Sequence, residues 1–426
     1  MVPFLPPAMT ICDSDEAQMD ANHQSRHNKA VNLSIDRYIE RVSKRTIEGE
    51  TKSFFIADLT QVTRQHMRWM RNLPTVRPYY AVKCNSDLAL LRWLASLGTG
   101  FDCASTQELS LVLDLNVDPA NIIFANPVKA PAALLFAREV GAARMTFDNL
   151  DELDKIASSF PEAQLLLRIY ASDDGALVSL GEKFGAQLDT TEQLIARAWE
   201  LRLNVVGVSF HVGTGAKSSG SFRKAIQDAG VVFNRAEAIG FQPSILDIGG
   251  GFQDSNFEYM ASAIREFIAA HFPPNVTIIA EPGRYFARSA YTLVSQVIGR
   301  RHQMGSVADE GLPDMLYQND GVYGNFMNVV MEKERMVPQL YSTSRKPEGQ
   351  GEECKGKYRY SIWGPTCDSI DCVAREATFD SEVQVGDRLV YHDMGAYTIT
   401  TATRFNGFSG SSDIVYVNSE ALSGQN

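Results

Sequence analysis

The feature that most limits the fold is a regular alternation of short apolar runs with stretches of helical periodicity. Eight apolar runs follow one another: 79–83, 100–103, 122–125, 145–147, 165–169, 205–211, 245–248 and 276–280. Short strands that are apolar throughout and separated by helices indicate a parallel sheet buried on both faces. Eight such units predict a (β/α)8 barrel, whose usual size is about 250 residues. A doubly wound open sheet is the alternative.

The pattern changes after about residue 290. Strand-like runs now follow one another without long helices between them, at 291–297, 314–318, 358–363, 387–391 and 396–401. This part predicts an all-β, mostly antiparallel C-terminal domain. The polar, glycine-containing stretch 342–357 interrupts it, and we expect a mobile insertion there.

The chain before the barrel divides into two parts. Residues 1–33 mix Pro, Asp, Asn and His, and we expect them to be disordered. Residues 34–57 predict a helix and a strand that pack with the β domain. The expected boundaries are therefore 1–33, 34–57, 58–290 for the barrel and 291–426 for the β domain.

Composition excludes several classes of partner. The 40 basic and 51 acidic residues give a formal charge of −11, which argues against nucleic acid or an anionic membrane surface. No run approaches the roughly 18 apolar residues that a membrane span needs. The six cysteines show neither a disulfide framework nor paired metal-binding spacing, so we predict no metal site and a cytoplasmic setting.

Polar groups and glycines follow the predicted strands where a barrel collects its catalytic residues. They stand at six strand ends: Lys83, Asp102, Arg168, His211 to Gly215, Gly249 to Gly251, and Glu281 to Arg284. Each alone has an ordinary explanation, such as a solvated turn lysine or a tight glycine turn. Their convergence on one rim indicates an active site.

These groups suit pyridoxal 5′-phosphate (PLP). A lysine among apolar walls, such as Lys83, can form a Schiff base with an aldehyde cofactor. Consecutive glycines leave backbone N–H groups bare for a phosphate, and the loops after strands seven and eight are common phosphate sites in barrels. A carboxylate such as Glu281 can keep a pyridine nitrogen protonated, which strengthens the electron sink.

Nine motifs make the chain resemble the eukaryotic ornithine decarboxylases. They are PYYAVKCN (78–85), FDCAS (101–105), FANPVK (124–129), SFHVGTG (209–215), DIGGGF (247–252), AEPGR (280–284), NDGVYG (319–324), WGPTCDSID (363–371) and MGAYT (394–398). The resemblance covers roughly residues 34–410. It implies an alanine-racemase-like fold, PLP, removal of the α-carboxylate from a basic L-amino acid, and a homodimer with shared active sites.

The resemblance also implies the roles of the cofactor-binding residues. Lys83 would carry the Schiff base, Glu281 would pair with the pyridine nitrogen, and His211 would stack on the ring. The phosphate would be held by Thr214, Gly249, Gly250, Gly251, Gly283, Arg284 and Tyr397. Asp102 and Glu108 would fix Lys83 and its surroundings, and Arg168 would lie near the ring oxygen.

Substrate contacts follow from the same resemblance. Cys367 would protonate the substrate carbon after CO2 leaves, and Asp368 would contact the distal amine, both from the second subunit. Tyr323 would line the same cleft. Ornithine decarboxylases usually have Tyr-Asp-His where this chain has Met331-Glu332-Lys333. Because that aspartate binds the distal amine, Glu332 is expected to decide the substrate.

Two substrate interpretations stay open: ornithine, or another amino acid such as lysine, arginine or an alkaloid precursor. A non-catalytic regulator like the antizyme inhibitors is disfavoured because the Schiff-base lysine and the proton donor are retained. A racemase would need a second base opposite Lys83. A diaminopimelate decarboxylase would have to bind a distal carboxylate beside Glu332 and Asp368. The stretch 129–144 holds only three basic residues, which argues against capture by an antizyme.

Overall fold

The computed structural model describes residues 13–43, 52–172, 181–216, 218–302, 313–341, 358–408, 410 and 412–420. Its α-helices are α1 (Asp13–Ser43), α2 (Thr60–Asn72), α3 (Leu88–Ser96), α4 (Thr106–Leu113), α5 (Pro131–Glu139), α6 (Leu150–Ser159), α7 (Thr191–Glu200), α8 (Gly220–Ile239), α9 (Phe257–His271), α10 (Arg284–Ala287) and α11 (Met327–Met331). Its strands are β1 (Phe54–Asp58), β2 (Val76–Ala81), β3 (Gly100–Cys103), β4 (Ile122–Phe124), β5 (Arg144–Phe147), β6 (Gln164–Arg168), β7 (Asn204–Ser209), β8 (Ile245–Asp247), β9 (Thr277–Ala280), β10 (Tyr291–Arg301), β11 (Asp314–Gln318), β12 (Gln339–Tyr341), β13 (Tyr358–Trp363), β14 (Cys372–Phe379), β15 (Arg388–Tyr391) and β16 (Asp413–Val417).

Strands β2 to β9 form a closed parallel barrel. The predicted (β/α)8 barrel is therefore confirmed, and the alternative of a doubly wound open sheet is excluded. The alternation of side chains explains why each run is apolar throughout. On β6, Leu165 and Leu167 belong to the large core that includes the surrounding helices. Leu166 joins Tyr79, Ile123, Ile245 and Ile279 in a separate cluster contributed by the barrel strands. Each fully buried leucine contributes about 1.5–3 kcal/mol.

Helix caps fix where the barrel helices begin after their strands. Ser105 is the N-cap of α4, and its side chain accepts a hydrogen bond from the Glu108 N–H. Asn149 caps α6 in the same way through the Glu152 N–H. Replacing Ser105 with alanine should cost about 1 kcal/mol because a helix-end N–H loses its acceptor.

The second sheet is mostly antiparallel, as predicted, with the order β12-β15-β10-β11-β13-β14. Strand β1 comes from the N-terminal part of the chain but lies in this sheet, where it pairs with β10 and β16. The chain therefore passes from the β sheet into the barrel and returns to the same sheet through β10.

The expectation that residues 1–33 are disordered is wrong from Asp13 onward, because α1 occupies Asp13–Ser43. Tertiary packing supports this helix: Val31, Ile35 and Tyr38 are buried against the β sheet. His27 also contacts the buried carboxylate of Asp58 at 3.0 Å. Residues 1–12 lie outside the described residues.

The strand predicted at 396–401 is also wrong. Tyr397 has a φ of 55°, which breaks an extended chain, and Ile399–Thr401 is a turn of 3₁₀ helix. The N–H of Tyr397 donates to the carbonyl of Cys84 in the barrel, so contact between the domains outweighs strand propensity here. The predicted insertion at 342–357 lies outside the described residues.

Candidate active site

A cavity opens at the carboxyl end of the barrel strands. Nine of the residues expected to bind the cofactor line it: Lys83, His211, Thr214, Gly250, Gly251, Glu281, Gly283, Arg284 and Tyr397. All but Tyr397 follow barrel strands, and Tyr397 comes from the β-domain part of the chain. The structure thus brings most of the predicted rim together in one place.

Lys83 lies in the cavity with a carboxylate partner. Its Nζ donates to Oδ2 of Asp102 at 2.6 Å, and Asp102 at the end of β3 is fully buried. Burial alone would lower the pKa of Lys83, but the carboxylates of Asp102 and Glu281 outweigh it and raise that pKa above its ordinary value. The Lys83 amine is therefore held in its protonated form, and the buried carboxylate of Asp102 fixes its position.

Two acidic residues lie next to each other at the same end of the barrel, which we call the barrel mouth. Asp247 and Glu281 are both buried, and their carboxyl groups lie side by side. Burial and the neighbouring carboxylates raise the pKa of Glu281 well above its usual range, and burial raises the pKa of Asp247 to about 7. Two adjacent buried carboxyls cannot both ionise easily, so the pair holds a proton. Sequence reasoning missed Asp247, although an acidic residue inside the apolar run 245–248 was a signal that could have found it.

The glycine triplet packs against neighbouring groups that leave no room for side chains. A Cβ on Gly249 would meet the carbonyl oxygen of Phe210 at 2.1 Å, and one on Gly251 would meet that of Gly213 at 2.7 Å. Gly249 and Gly251 also have positive φ angles of 65° and 99°, which glycine adopts without strain. Bare backbone can therefore approach a bound group closely here.

His211 and Arg284 flank this glycine cradle. The His211 Nδ1 accepts the N–H of Gly213 at 3.1 Å, which leaves the other ring nitrogen to carry the proton of a neutral imidazole. The Arg284 guanidinium lies over the Tyr397 ring, 5.1 Å from its centroid. A cation beside bare backbone amides suits a phosphate.

Glu108 and Arg168 lie at the edge of the site. Glu108 accepts the N–H of Ala104 through Oε2 at 2.6 Å, so it shapes the turn after β3, and burial raises its pKa. The Arg168 guanidinium lies 5.3 Å from the centre of the Phe184 ring. Its charge opposes the rise in the pKa of Asp247.

Three predicted substrate residues form a separate cluster that does not line the cavity. The Tyr323 hydroxyl donates to Oδ2 of Asp368 at 2.5 Å, and Phe405 stacks on the Tyr323 ring at 4.3 Å. Cys367 is exposed, and its N–H and Sγ approach Oδ1 of Asn406 at 3.2 and 3.3 Å. Asn406 was missed from the sequence, because only the fold brings it to Cys367. We call Tyr323, Cys367, Asp368, Phe405 and Asn406 the outer cluster.

Glu332 is neither among the residues that line this cavity nor part of the outer cluster. Its Oε1 accepts from Nη2 of Arg284, and both side chains are buried. Burial raises the pKa of Glu332, and the guanidinium opposes that rise. The residue expected at the substrate's distal amine therefore contacts the arginine beside the glycine cradle.

Sequence comparison identifies the family. The family model for the pyridoxal binding domain of the pyridoxal-dependent decarboxylases matches residues 59–288. The chain is 46% identical to the ornithine decarboxylase of Neurospora crassa over 399 residues, 87% of this chain and 82% of that protein. The chain belongs to this family. It is a PLP-dependent amino-acid decarboxylase of the eukaryotic ornithine decarboxylase group.

Other relatives are named for different activities. The Aspergillus flavus protein named decarboxylase flvG is 44% identical over 372 residues, 87% of each chain. Among solved structures, the arginine decarboxylase of Paramecium bursaria Chlorella virus bound to agmatine matches with a TM-score of 0.83 and 36% identity, covering 91% of this chain and all of that one. Lysine decarboxylase from Selenomonas ruminantium matches with a TM-score of 0.75 and 31% identity, covering 89% and 95%.

The residues at the barrel mouth fit PLP. Oε1 of Glu281 is buried and makes no well-formed hydrogen bond within the described part of the chain, which suits a partner such as a ring N–H. A Cβ on Gly250 would fall 2.8 Å from Nε2 of His211, so the cradle accepts only glycine. The Lys83 amine lies in the same cavity. Across the described residues, no group of His, Cys, Asp and Glu could hold a metal, and no helix is long and apolar enough to cross a membrane.

Proposed function

We propose that this enzyme removes the α-carboxylate of a basic L-amino acid, with ornithine as the first candidate. One observation carries the proposal: the Lys83–Asp102 ion pair lies at a cavity that also contains Glu281 and the glycine cradle. These are the groups that PLP chemistry requires. Bound PLP supplies the electron sink that stabilises the charge left on the substrate carbon when CO2 departs.

Each residue at the mouth then has a defined task. Lys83 would hold the cofactor aldehyde, and Asp102 orients the lysine through their 2.6 Å contact. Glu281 would bind the ring nitrogen, and His211 would stack on the ring. The phosphate contacts come from Thr214, Gly249, Gly250, Gly251, Gly283, Arg284 and Tyr397. Glu108 shapes the turn beside Asp102, and Arg168 balances the charge of Asp247 near the ring.

The outer cluster performs the later steps. Cys367 delivers a proton to the substrate carbon, which requires a thiol held at a fixed position. Asp368 binds the substrate's distal amine, and the hydroxyl of Tyr323 lowers the pKa of that carboxyl. The cluster is exposed at Cys367 and does not line the cavity of its own chain, so we propose a homodimer in which each cluster closes the partner's cavity.

Subunit mixing tests this shared site. Lys83→Ala and Cys367→Ala homodimers should each be nearly inactive. After exchange, half of the dimers are hybrids with one intact site, so the mixture should regain up to about a quarter of wild-type activity. Exchange demonstrated by labelled subunits, with no recovery of activity, would place both residues in a site formed by one chain.

A substrate panel tests the reaction. Purified enzyme loaded with PLP should release CO2 from ornithine, lysine or arginine in preference to neutral and acidic L-amino acids. Release from none of the basic amino acids would refute the proposed substrate class. Retention of cofactor binding in the same preparation would separate that failure from a failure of folding.

A substrate other than ornithine is the second candidate. It is favoured by the contact of Glu332 with Arg284, which takes this carboxylate away from a distal amine. The structural relatives named as lysine and arginine decarboxylases show that this fold accepts other basic amino acids. The triple variant Met331→Tyr, Glu332→Asp, Lys333→His should then raise activity on ornithine relative to the preferred substrate, whereas an unchanged preference would exclude this segment as the determinant.

A cytoplasmic location and the absence of antizyme capture are part of the same proposal. The absence of antizyme capture is inferred from the stretch 129–144, which contains three basic residues. Lys129 is buried in an ion pair with Glu152, so only Arg138 and Arg144 remain. Fractionation and a pull-down with an antizyme test the two statements separately.

A further inference from the structure

The segment that follows α11 is attached to α10 and the residues after it by two ion pairs. Glu332 pairs with Arg284, and Glu334 pairs with Arg288 at 2.6 Å. The two arginines are four residues apart, a spacing that puts side chains on one side of a helical turn. Lys333 lies between the two glutamates with a φ of 55°, and this left-handed turn lets both carboxylates reach their arginines.

The two ion pairs differ in their surroundings. The side chains of Arg284 and Glu332 are only 6% and 9% exposed, whereas Arg288 is 37% exposed. Nε of both arginines is buried without a hydrogen-bond partner within the described residues, but the glutamates differ: Oε2 of Glu332 is also without one, whereas Oε2 of Glu334 accepts from the side-chain amide of Asn328 at 2.8 Å. The Arg284–Glu332 pair is therefore shielded from water, and each partner keeps a polar atom without a hydrogen bond. Each partner can thus bind a further ligand.

Arg284 also lines the cavity beside the glycine cradle. The cation most suited to a phosphate thus already has an anionic partner from its own chain. A carboxylate and a phosphate dianion that share one buried guanidinium repel each other, and the low polarity of the site strengthens that repulsion.

We propose that Glu332 is an internal anion that competes with the cofactor phosphate for Arg284. Glu332 then lowers the affinity for the cofactor. An aspartate at this position would be shorter by about 1.5 Å, the length of one carbon–carbon bond, and would release the guanidinium. The inference concerns the cofactor and holds whichever amino acid is the substrate.

Cofactor titration tests the competition directly. Protein stripped of cofactor is titrated with PLP and, separately, with inorganic phosphate, with binding followed by absorbance and calorimetry. Glu332→Gln should tighten PLP about tenfold, because one buried negative charge beside the phosphate is removed. Glu332→Asp should act in the same direction. Because the pair is buried, the gain in phosphate affinity should change little as ionic strength rises.

Glu334→Gln is the matched control, since it makes the same chemical change in the neighbouring ion pair. It should alter the affinity for PLP by less than about twofold, because Arg288 is more exposed and its pair is screened by solvent. A residue that merely supported the fold would weaken cofactor binding when changed. Unchanged or weaker binding in both Glu332 variants, or a rise in KM for the amino acid with unchanged cofactor affinity, would overturn the proposal. If Glu332→Gln does not fold, Glu332→Asp decides.

Discussion

The buried carboxyl pair at the barrel mouth predicts that Asp247→Asn stabilises the cofactor-free protein. Asp247 accepts the N–H of Gly249 at 2.9 Å through Oδ1, and its Oδ2 is buried beside Glu281 without a well-formed hydrogen bond in the described residues. An asparagine keeps the acceptor for Gly249 and supplies an N–H toward Glu281. The asparagine therefore removes one ionisable group from a buried pair in which ionisation of both carboxyls is unfavourable.

The magnitude follows from the pKa of Asp247, which rises from 3.8 to about 7 on folding. Between these values the folded state binds more protons than the unfolded state, so stability falls as pH rises and the loss is complete above about pH 7. Three pKa units correspond to about 4 kcal/mol, and some of this is recovered by relaxation of the pair. We expect Asp247→Asn to add about 2–4 kcal/mol to the free energy of unfolding at pH 8, and almost nothing near pH 4.

Urea unfolding of cofactor-free protein from pH 4 to 8, at one protein concentration, measures this difference. Asp58→Asn is the matched control with the opposite sign. Burial would raise the pKa of Asp58, but hydrogen bonds from His27, Thr60 and Ser419 outweigh it and lower that pKa. Its charged form therefore stabilises the protein above the ordinary carboxyl pKa, so the variant should lose stability at pH 8. An Asp247→Asn variant that is less stable at pH 8, or equally shifted at every pH, would refute the reasoning.

Three further predictions address the cofactor and the proton donor. Borohydride should fix PLP to the peptide that contains Lys83, and labelling of another lysine would end that assignment. Gly250→Ala should weaken PLP binding at least about tenfold in titrations, because the new Cβ falls 2.8 Å from Nε2 of His211 and alters the cradle. Asn406→Ala should lower kcat about tenfold with little change in KM, because the Cys367 thiol loses its acceptor at 3.3 Å, whereas equal loss in kcat and cofactor affinity would indicate a general structural role.

The barrel could be predicted because its physical cause is local. A parallel barrel strand packs against helices on one face and against the barrel interior on the other, so it must be apolar at every position. Leu165, Leu166 and Leu167 show this, since all three are fully buried. The order of the strands then places residues such as Lys83 and Glu281 at one rim without further information. The fold and the cavity-lining residues therefore followed from short segments of sequence.

What the sequence did not reveal depends on contacts between distant segments. The pairing of Glu332 with Arg284 joins residues 48 positions apart, and it requires the left-handed turn at Lys333. Likewise, α1 is supported by Ile35 and Tyr38 against a sheet whose strands come from both ends of the chain. Neither periodicity nor motif spacing carries this information, because each partner has an ordinary pattern on its own.

Two carboxylates lie at opposite ends of the proposed cofactor site. Asp247 lies beside Glu281, the group we expect at the ring nitrogen, and Glu332 occupies Arg284, the group we expect at the phosphate. In the cofactor-free protein the Arg284 guanidinium thus already has an anionic partner from its own chain, which limits the desolvation cost of its burial, whereas the Glu281 carboxyl lies beside a second acid with which it holds a proton. The same arrangement reduces the free energy gained on cofactor binding, since those partners must first be released or neutralised. We therefore expect cofactor affinity in this enzyme to depend on the acidic neighbours of the binding residues as well as on the binding residues themselves.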